Sequence, residues 1–152
     1  MGEANEFYLV RHGSYDRHTR RLDEAGRIFH APSARDNLLA RGLGASTILL
    51  SSDAPRAAET AEIIGEGIGI EPVLCDIINE AGNNPWVIKD LDFLINNALD
   101  EMDVTYDGTQ ELVVVTHAPM LAIARGVESQ DISFGEVFAY QRGSWANPYA
   151  PK

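Results

Sequence analysis

Residues 112–120, LVVVTHAPM, decide the fold. Leu112 to Thr116 carries no charge and holds three consecutive Val, the pattern of a strand buried on both faces, and such strands belong to parallel sheets covered by helices. The run ends in Thr116 and His117, and from Pro119 to about Arg125 the pattern turns helical. A buried strand that ends in polar residues and leads into a helix is the unit of an open α/β sheet. Ligands of such sheets bind in the crevice beyond the carboxyl ends of the strands.

Working outward, the same unit recurs. Glu6 to Val10 (EFYLV) reads as a buried strand that runs into Arg11-His12-Gly13. Thr47 to Ser51 (TILLS) is a second, leading to a helix over Pro55 to Glu66 with Pro55 in its first turn and Asp53 or a neighbour as cap. Between them, Ser33 with Asp36 resembles a capping box, so a helix is expected from about Ala34 to Arg41, stopped by Gly42. Glu71 to Ile78 (EPVLCDII) reads as a third strand, placed near an edge by Pro72. Pro85 to Met102 carries Trp86, Leu91, Leu94, Ile95, Leu99 and Met102 at a mostly helical period, which predicts one amphipathic helix with Trp86 in the core. Phe134 to Tyr140 alternates as a last strand before the polar tail GSWANPYAPK. This order predicts an α/β fold: one domain over residues 1–152, a three-layer α/β/α sandwich with a mostly parallel central sheet.

The 152 residues are 45% hydrophobic, enough for a substantial core, and no apolar run approaches the ~18 residues of a membrane span. The opening MGEANEF has neither a basic segment nor an apolar stretch, so no secretory leader is expected. Cys75 stands alone, which excludes a disulfide framework and makes a reducing cytoplasm the expected setting. The net charge is −11, unevenly spread: through residue 56 there are eight Arg against seven acids, and beyond it four basic residues against sixteen acids. An acidic chain of this kind is a poor match for a nucleic acid or an anionic membrane, neither of which is expected as a partner. A local anion site built from the N-terminal Arg residues remains open.

Three strands end in residues that suit a shared role, namely Arg11-His12-Gly13, Ser51-Ser52 running on to Arg56, and Thr116-His117-Ala118. Two His and two Arg meeting in one crevice make an anion site, because a guanidinium is a planar fork for phosphate oxygens. An imidazole, with an unperturbed pKa of ~6.5, offers an unprotonated nitrogen as nucleophile near neutrality. Phosphoryl transfer then needs mainly positioning and charge stabilisation. The single Cys and the four His show no metal-ligand spacing, so no metal or other cofactor is expected.

FYLVRHGS (7–14), LLSSDAPRAAETAEII (49–64) and VVVTHAPML (113–121) resemble, in order, the three signature segments of the histidine phosphatase (phosphoglycerate mutase-like) superfamily. The resemblance implies the phosphoglycerate mutase-like sandwich and a covalent phosphohistidine at His12, with Arg11 and Arg56 holding phosphate and His117 stabilising the transferring group. It also places Ser14 and Ala118 beside the substrate. His18, six residues after His12, stands where phosphoglycerate mutases carry a phosphate-contacting Asn. Leu22-Asp23-Glu24-Ala25-Gly26 is similar to a further family segment.

Larger members insert a lid between the second Arg and the second His. Arg56 and His117 are only 61 positions apart here, which resembles the small phosphohistidine phosphatases of the SixA type and an open site. Glu80, in IINEAGNN, stands where mutases and phosphomonoesterases of the superfamily carry a proton donor, and pulls toward small phosphomonoesters. The resemblance therefore implies a metal-independent phosphatase acting on a phosphohistidine protein or a small phosphomonoester. A phospho-ligand-binding module without turnover is the competing reading, and a phosphoglycerate-type mutase the third; the oligomeric state is left open.

Overall fold

The computed structural model of the chain describes residues 5–151. Residues 1–4, which carry part of the leader reading, lie outside the described residues. Five strands, β1 Glu6–Arg11, β2 Ile48–Ser52, β3 Val73–Cys75, β4 Leu112–Thr116 and β5 Val137–Gln141, form one sheet in the order β3-β2-β4-β1-β5. The β1–β4, β2–β4 and β2–β3 pairs are parallel; β5 runs antiparallel to β1. As Pro72 implied, β3 is an edge strand.

The pleat accounts for the three layers. Alternate residues of β1 and β4, Phe7, Leu9, Leu112 and Val114, enter a core with Ile78, Leu91, Ile95 and Leu121 from helices α3 (Asp76–Asn83), α4 (Leu91–Glu101) and α5 (Ala118–Arg125). Their neighbours Tyr8, Val10, Val113 and Val115 enter a second core with Leu38 of α1 (Ala31–Ala40) and Ala61 and Ile64 of α2 (Pro55–Ile68). Leu112 to Val115 are fully buried, and each such side chain contributes about 1.5–3 kcal/mol of burial free energy. The α/β sandwich expected from LVVVT is therefore what the chain forms. Among the described residues no helix is long and apolar enough to cross a membrane.

Several expectations are corrected. Ser33 and Asp36 do not open a helix: α1 is entered from a one-turn π helix, Gly26–His30, and its N-cap position, His30, is already helical. Pro32 lacks an N–H, and the wider π turn before it accommodates the ring without ending the helix. Of Asp53 and its neighbours, it is Ala54 that stands at the N-cap of α2, and its N–H donates to Ser52 Oγ. The strand read over Glu71 to Ile78 stops at Cys75, and Asp76 begins α3, where an acid suits the helix N-terminus. The helix read from Pro85 to Met102 is a 3-10 turn, Pro85–Val87, followed by α4, because Asp90 accepts the Phe93 N–H at 3.2 Å and caps a new start. Trp86 is consequently 43% exposed rather than core, edge-on to Tyr149. The last strand begins at Val137, and Phe134 belongs to the turn before it.

Candidate active site

The parallel order brings the ends of β1, β4 and β2 side by side, with Arg11 in register with Thr116 and Ser51 with Val115. His12 and His117 follow directly on these ends, and Arg56 sits at the second position of α2. All four predicted residues meet. The His12 and His117 rings are 5.1 Å apart between centroids, and Arg56 Nε lies 3.2 Å from His12 Nε2.

Each side chain is oriented by a neighbour. His12 Nδ1–H donates to the Gly13 carbonyl at 2.7 Å, which fixes the tautomer and leaves Nε2 as the lone-pair nitrogen. Gly13 is held in turn through its N–H to Thr60 Oγ1 at 3.0 Å, and that hydroxyl donates to the Arg56 carbonyl at 2.8 Å. His117 Nε2 lies 2.9 Å from Ser52 Oγ, while its Nδ1 is buried without a partner. Arg11 Nη1 donates to the Ile132 carbonyl at 2.6 Å, and its buried Nε has no partner. Two buried polar atoms without partners are costly unless a ligand completes them.

The electrostatics follow from burial. Desolvation lowers the His12 pKa to about 3, with the Arg56 and Arg11 charges acting the same way against the Gly13 hydrogen bond. Desolvation, then His12, Arg56 and Arg11, lower His117 to about 2. Both imidazoles are neutral at physiological pH. Burial also lowers the pKa of Arg11 and of Arg56, a desolvation that a bound anion would offset. No carboxylate among the described residues makes a hydrogen bond or ion pair with any of the four. Nor do the described residues hold a group of three His, Cys, Asp or Glu placed for a metal ion.

Other predicted residues are placed differently. Glu80 is exposed on α3, two residues before Gly82, which is the position that packs on His117. Two residues on a helix are about 200° apart, so Glu80 faces away, into a groove with Ile77, Val87 and Leu94. Ser14 is turned inward: its hydroxyl donates to Asp23 Oδ1 at 2.6 Å and its N–H to His30 Nδ1 at 3.1 Å. His18 is exposed on the following loop, its N–H donating to Asp16 Oδ1, without contact to the cluster. Ala118 does adjoin the cluster, as the buried first residue of α5, where a backbone N–H has no intrahelical acceptor.

Two aromatic residues were missed. Tyr15 lies under the Arg56 guanidinium, 4.6 Å from its carbon, and edge-on to His12 at 5.5 Å. Phe134 lies under Arg11 at 3.9 Å and 6.2 Å from His12. Tyr15 belongs to no periodic pattern, and Phe134 was absorbed into an alternating run. Ser52 and Thr60 were more accessible to sequence reasoning, since Thr60 is one helical turn from Arg56 and shares its face.

The model of the histidine phosphatase superfamily (branch 1) matches residues 7–92. No curated protein matches the sequence. Among solved structures, a candidate phosphohistidine phosphatase SixA from Agrobacterium tumefaciens superposes with a TM-score of 0.62 at 21% identity, covering 97% of this chain and 99% of that one. A mycobacterial glucosyl-3-phosphoglycerate phosphatase, in complex with inorganic phosphate, gives 0.57 at 18% identity, over 90% of this chain and 89% of that one. At such identities these likenesses show the fold.

Proposed function

The chain belongs to the histidine phosphatase superfamily, branch 1, and on that premise we propose that it is a metal-independent phosphatase, a single domain that carries the phosphoryl group on His12 during turnover. The observation that carries this reading is the His12 tautomer: Nδ1–H is tied to Gly13, so the unprotonated Nε2 points into the cluster toward Arg56. Nε2 attacks phosphorus, the bond to the leaving group breaks, and Arg56 and Arg11 take the equatorial oxygens. Ser52 Oγ already accepts the Ala54 N–H, which leaves its own proton for His117 Nε2. His117 Nδ1 then keeps its proton and donates a hydrogen bond to a phosphoryl oxygen. Water attacks the phosphohistidine in the second step, releasing orthophosphate and restoring Nε2.

The favoured substrate is a phosphohistidine side chain of a protein. An alkyl phosphate needs a general acid for its leaving oxygen, and Glu80 faces away from the cluster. A phosphoimidazole takes a proton from solvent on its distal nitrogen and departs as neutral imidazole. The residues between Arg56 and His117 are taken up by α2, β3, α3, the turn at Pro85–Val87, α4 and the loop into β4, which leaves none for a lid over a macromolecular substrate.

Steady release of phosphate from a phosphohistidine peptide, abolished by His12→Ala, is the expected result. Stoichiometric binding of phosphate without turnover would instead make the protein a phospho-ligand-binding module.

A further inference from the structure

We infer that Tyr15 and Phe134 are specificity residues that select substrates with a planar, π-bearing leaving group. The inference rests on the phosphatase reading and concerns the walls of the same site.

Both rings are fixed. Tyr15 is bridged to Leu22 across the short loop and carries the Arg56 guanidinium on its ring. Phe134 is held from three sides. Its ring packs on His30 at 5.3 Å and under Arg11 at 3.9 Å. The next residue, Gly135, donates its N–H to the Arg11 carbonyl at 3.0 Å. Gly135 has φ +76°, and a Cβ there would lie 2.5 Å from the His30 carbonyl oxygen, so only glycine allows this approach. The turn from Ile132 to Glu136 is thus clamped to the end of β1: the Ile132 carbonyl accepts Arg11 Nη1 and the Glu136 carbonyl accepts the Arg11 N–H.

This fixation puts one ring beside each phosphate-binding guanidinium, and both rings flank the nucleophile. The stacked guanidiniums occupy ring faces, while Phe134 stays 36% exposed and Tyr15 half-buried. Each guanidinium covers one face of its ring, which leaves the edge and the opposite face to a ligand. An aromatic edge is electropositive and prefers the negative face of another ring, at a gain of about twofold to tenfold in affinity for each pair. A group attached to phosphorus and departing between these walls gains that contact if it is an imidazole or aryl ring. A saturated ring of equal size gains only burial.

The test compares phenylphosphonate with cyclohexylphosphonate as competitive inhibitors, at a pH where both are dianions. Their P–C bonds do not break, so leaving-group lability plays no part. In the unmodified protein phenylphosphonate should bind at least about fivefold more tightly. Phe134→Leu should lower the ratio by about twofold to tenfold, the share of one ring, and Phe134→Tyr should restore it. Equal inhibition by the two phosphonates in the unmodified protein, or tighter binding of the cyclohexyl compound, overturns the proposal even if Phe134→Leu fails to fold. Trapping of the phosphoenzyme in parallel separates the two levels. With phosphoenzyme present and no preference for the planar compound, the specificity proposal alone falls; with no phosphoenzyme, the phosphatase reading falls and takes it along.

Discussion

Arg56 Nε donates to His12 Nε2 at 3.2 Å, so in the free protein the guanidinium occupies the lone pair with which the imidazole would attack phosphorus. An entering phosphoryl group must take that hydrogen bond over, moving Arg56 from the nucleophile to an equatorial oxygen. Arg56→Ala is expected to lower kcat/KM by about 10²–10³, the usual loss when one transition-state donor is removed. Arg56→Lys keeps the charge but not the fork and should recover little of it. Steady-state kinetics with p-nitrophenyl phosphate check both, and an Arg56→Ala protein of undiminished kcat/KM contradicts the assignment.

Burial holds His12 at about 3 and His117 at about 2. Both values lie below the unfolded ~6.5, so the folded state binds fewer protons between them. The stabilisation is complete above the unfolded pKa and is lost as pH falls from there toward the folded values. The loss is at most about 1.4 kcal/mol per pH unit for each ring. Denaturant midpoints should fall between pH 7 and pH 5, and the NMR ring signals of His12 and His117 should stay at their neutral positions over that range. Either ring titrating near 6.5 would contradict the buried, neutral pair.

Gly82 lies in the last turn of α3, where the helix approaches β4. A Cβ at this position would lie 2.1 Å from Thr116 Oγ1 and 2.9 Å from His117 Cδ2. Gly82→Ala is expected to destabilise the protein by about 1–3 kcal/mol through overpacking, against the usual helical preference for Ala. It should also reduce kcat, by displacing His117. Chemical denaturation and kinetics test this together, and a stabilised, fully active variant would refute the packing.

Glu80→Gln separates the geometry from the family resemblance. With Glu80 on the far face of α3, hydrolysis of phosphohistidine and of an alkyl phosphate should each stay within about twofold of the unmodified protein. A selective collapse of alkyl phosphate hydrolysis would show that Glu80 reaches the leaving group.

The central strands were legible because β1, β2 and β4 are buried on both faces and leave an apolar signature, with Arg11, His12 and His117 at the ends of β1 and β4 and Arg56 on the helix after β2. The segment from Glu71 to Asn84 misled, since a three-residue edge strand and a helix containing Gly82 are fixed by contacts with β2 and β4 rather than by local pattern. Glu80 went astray with it, because the phase of α3 turns its side chain away from the site. Phe134 was hidden because it falls in phase with Phe138 and Tyr140 and so imitates a strand, and only the Arg11 and Gly135 contacts reveal a turn.

The most direct test of the account is to mix the protein with a phosphohistidine peptide, quench within the first turnover in alkali, and locate the phosphoryl group by peptide mass spectrometry. One acid-labile, alkali-stable phosphoryl group is expected on His12, absent from His12→Ala. Turnover that proceeds with no such intermediate, or that survives in His12→Ala, would contradict it.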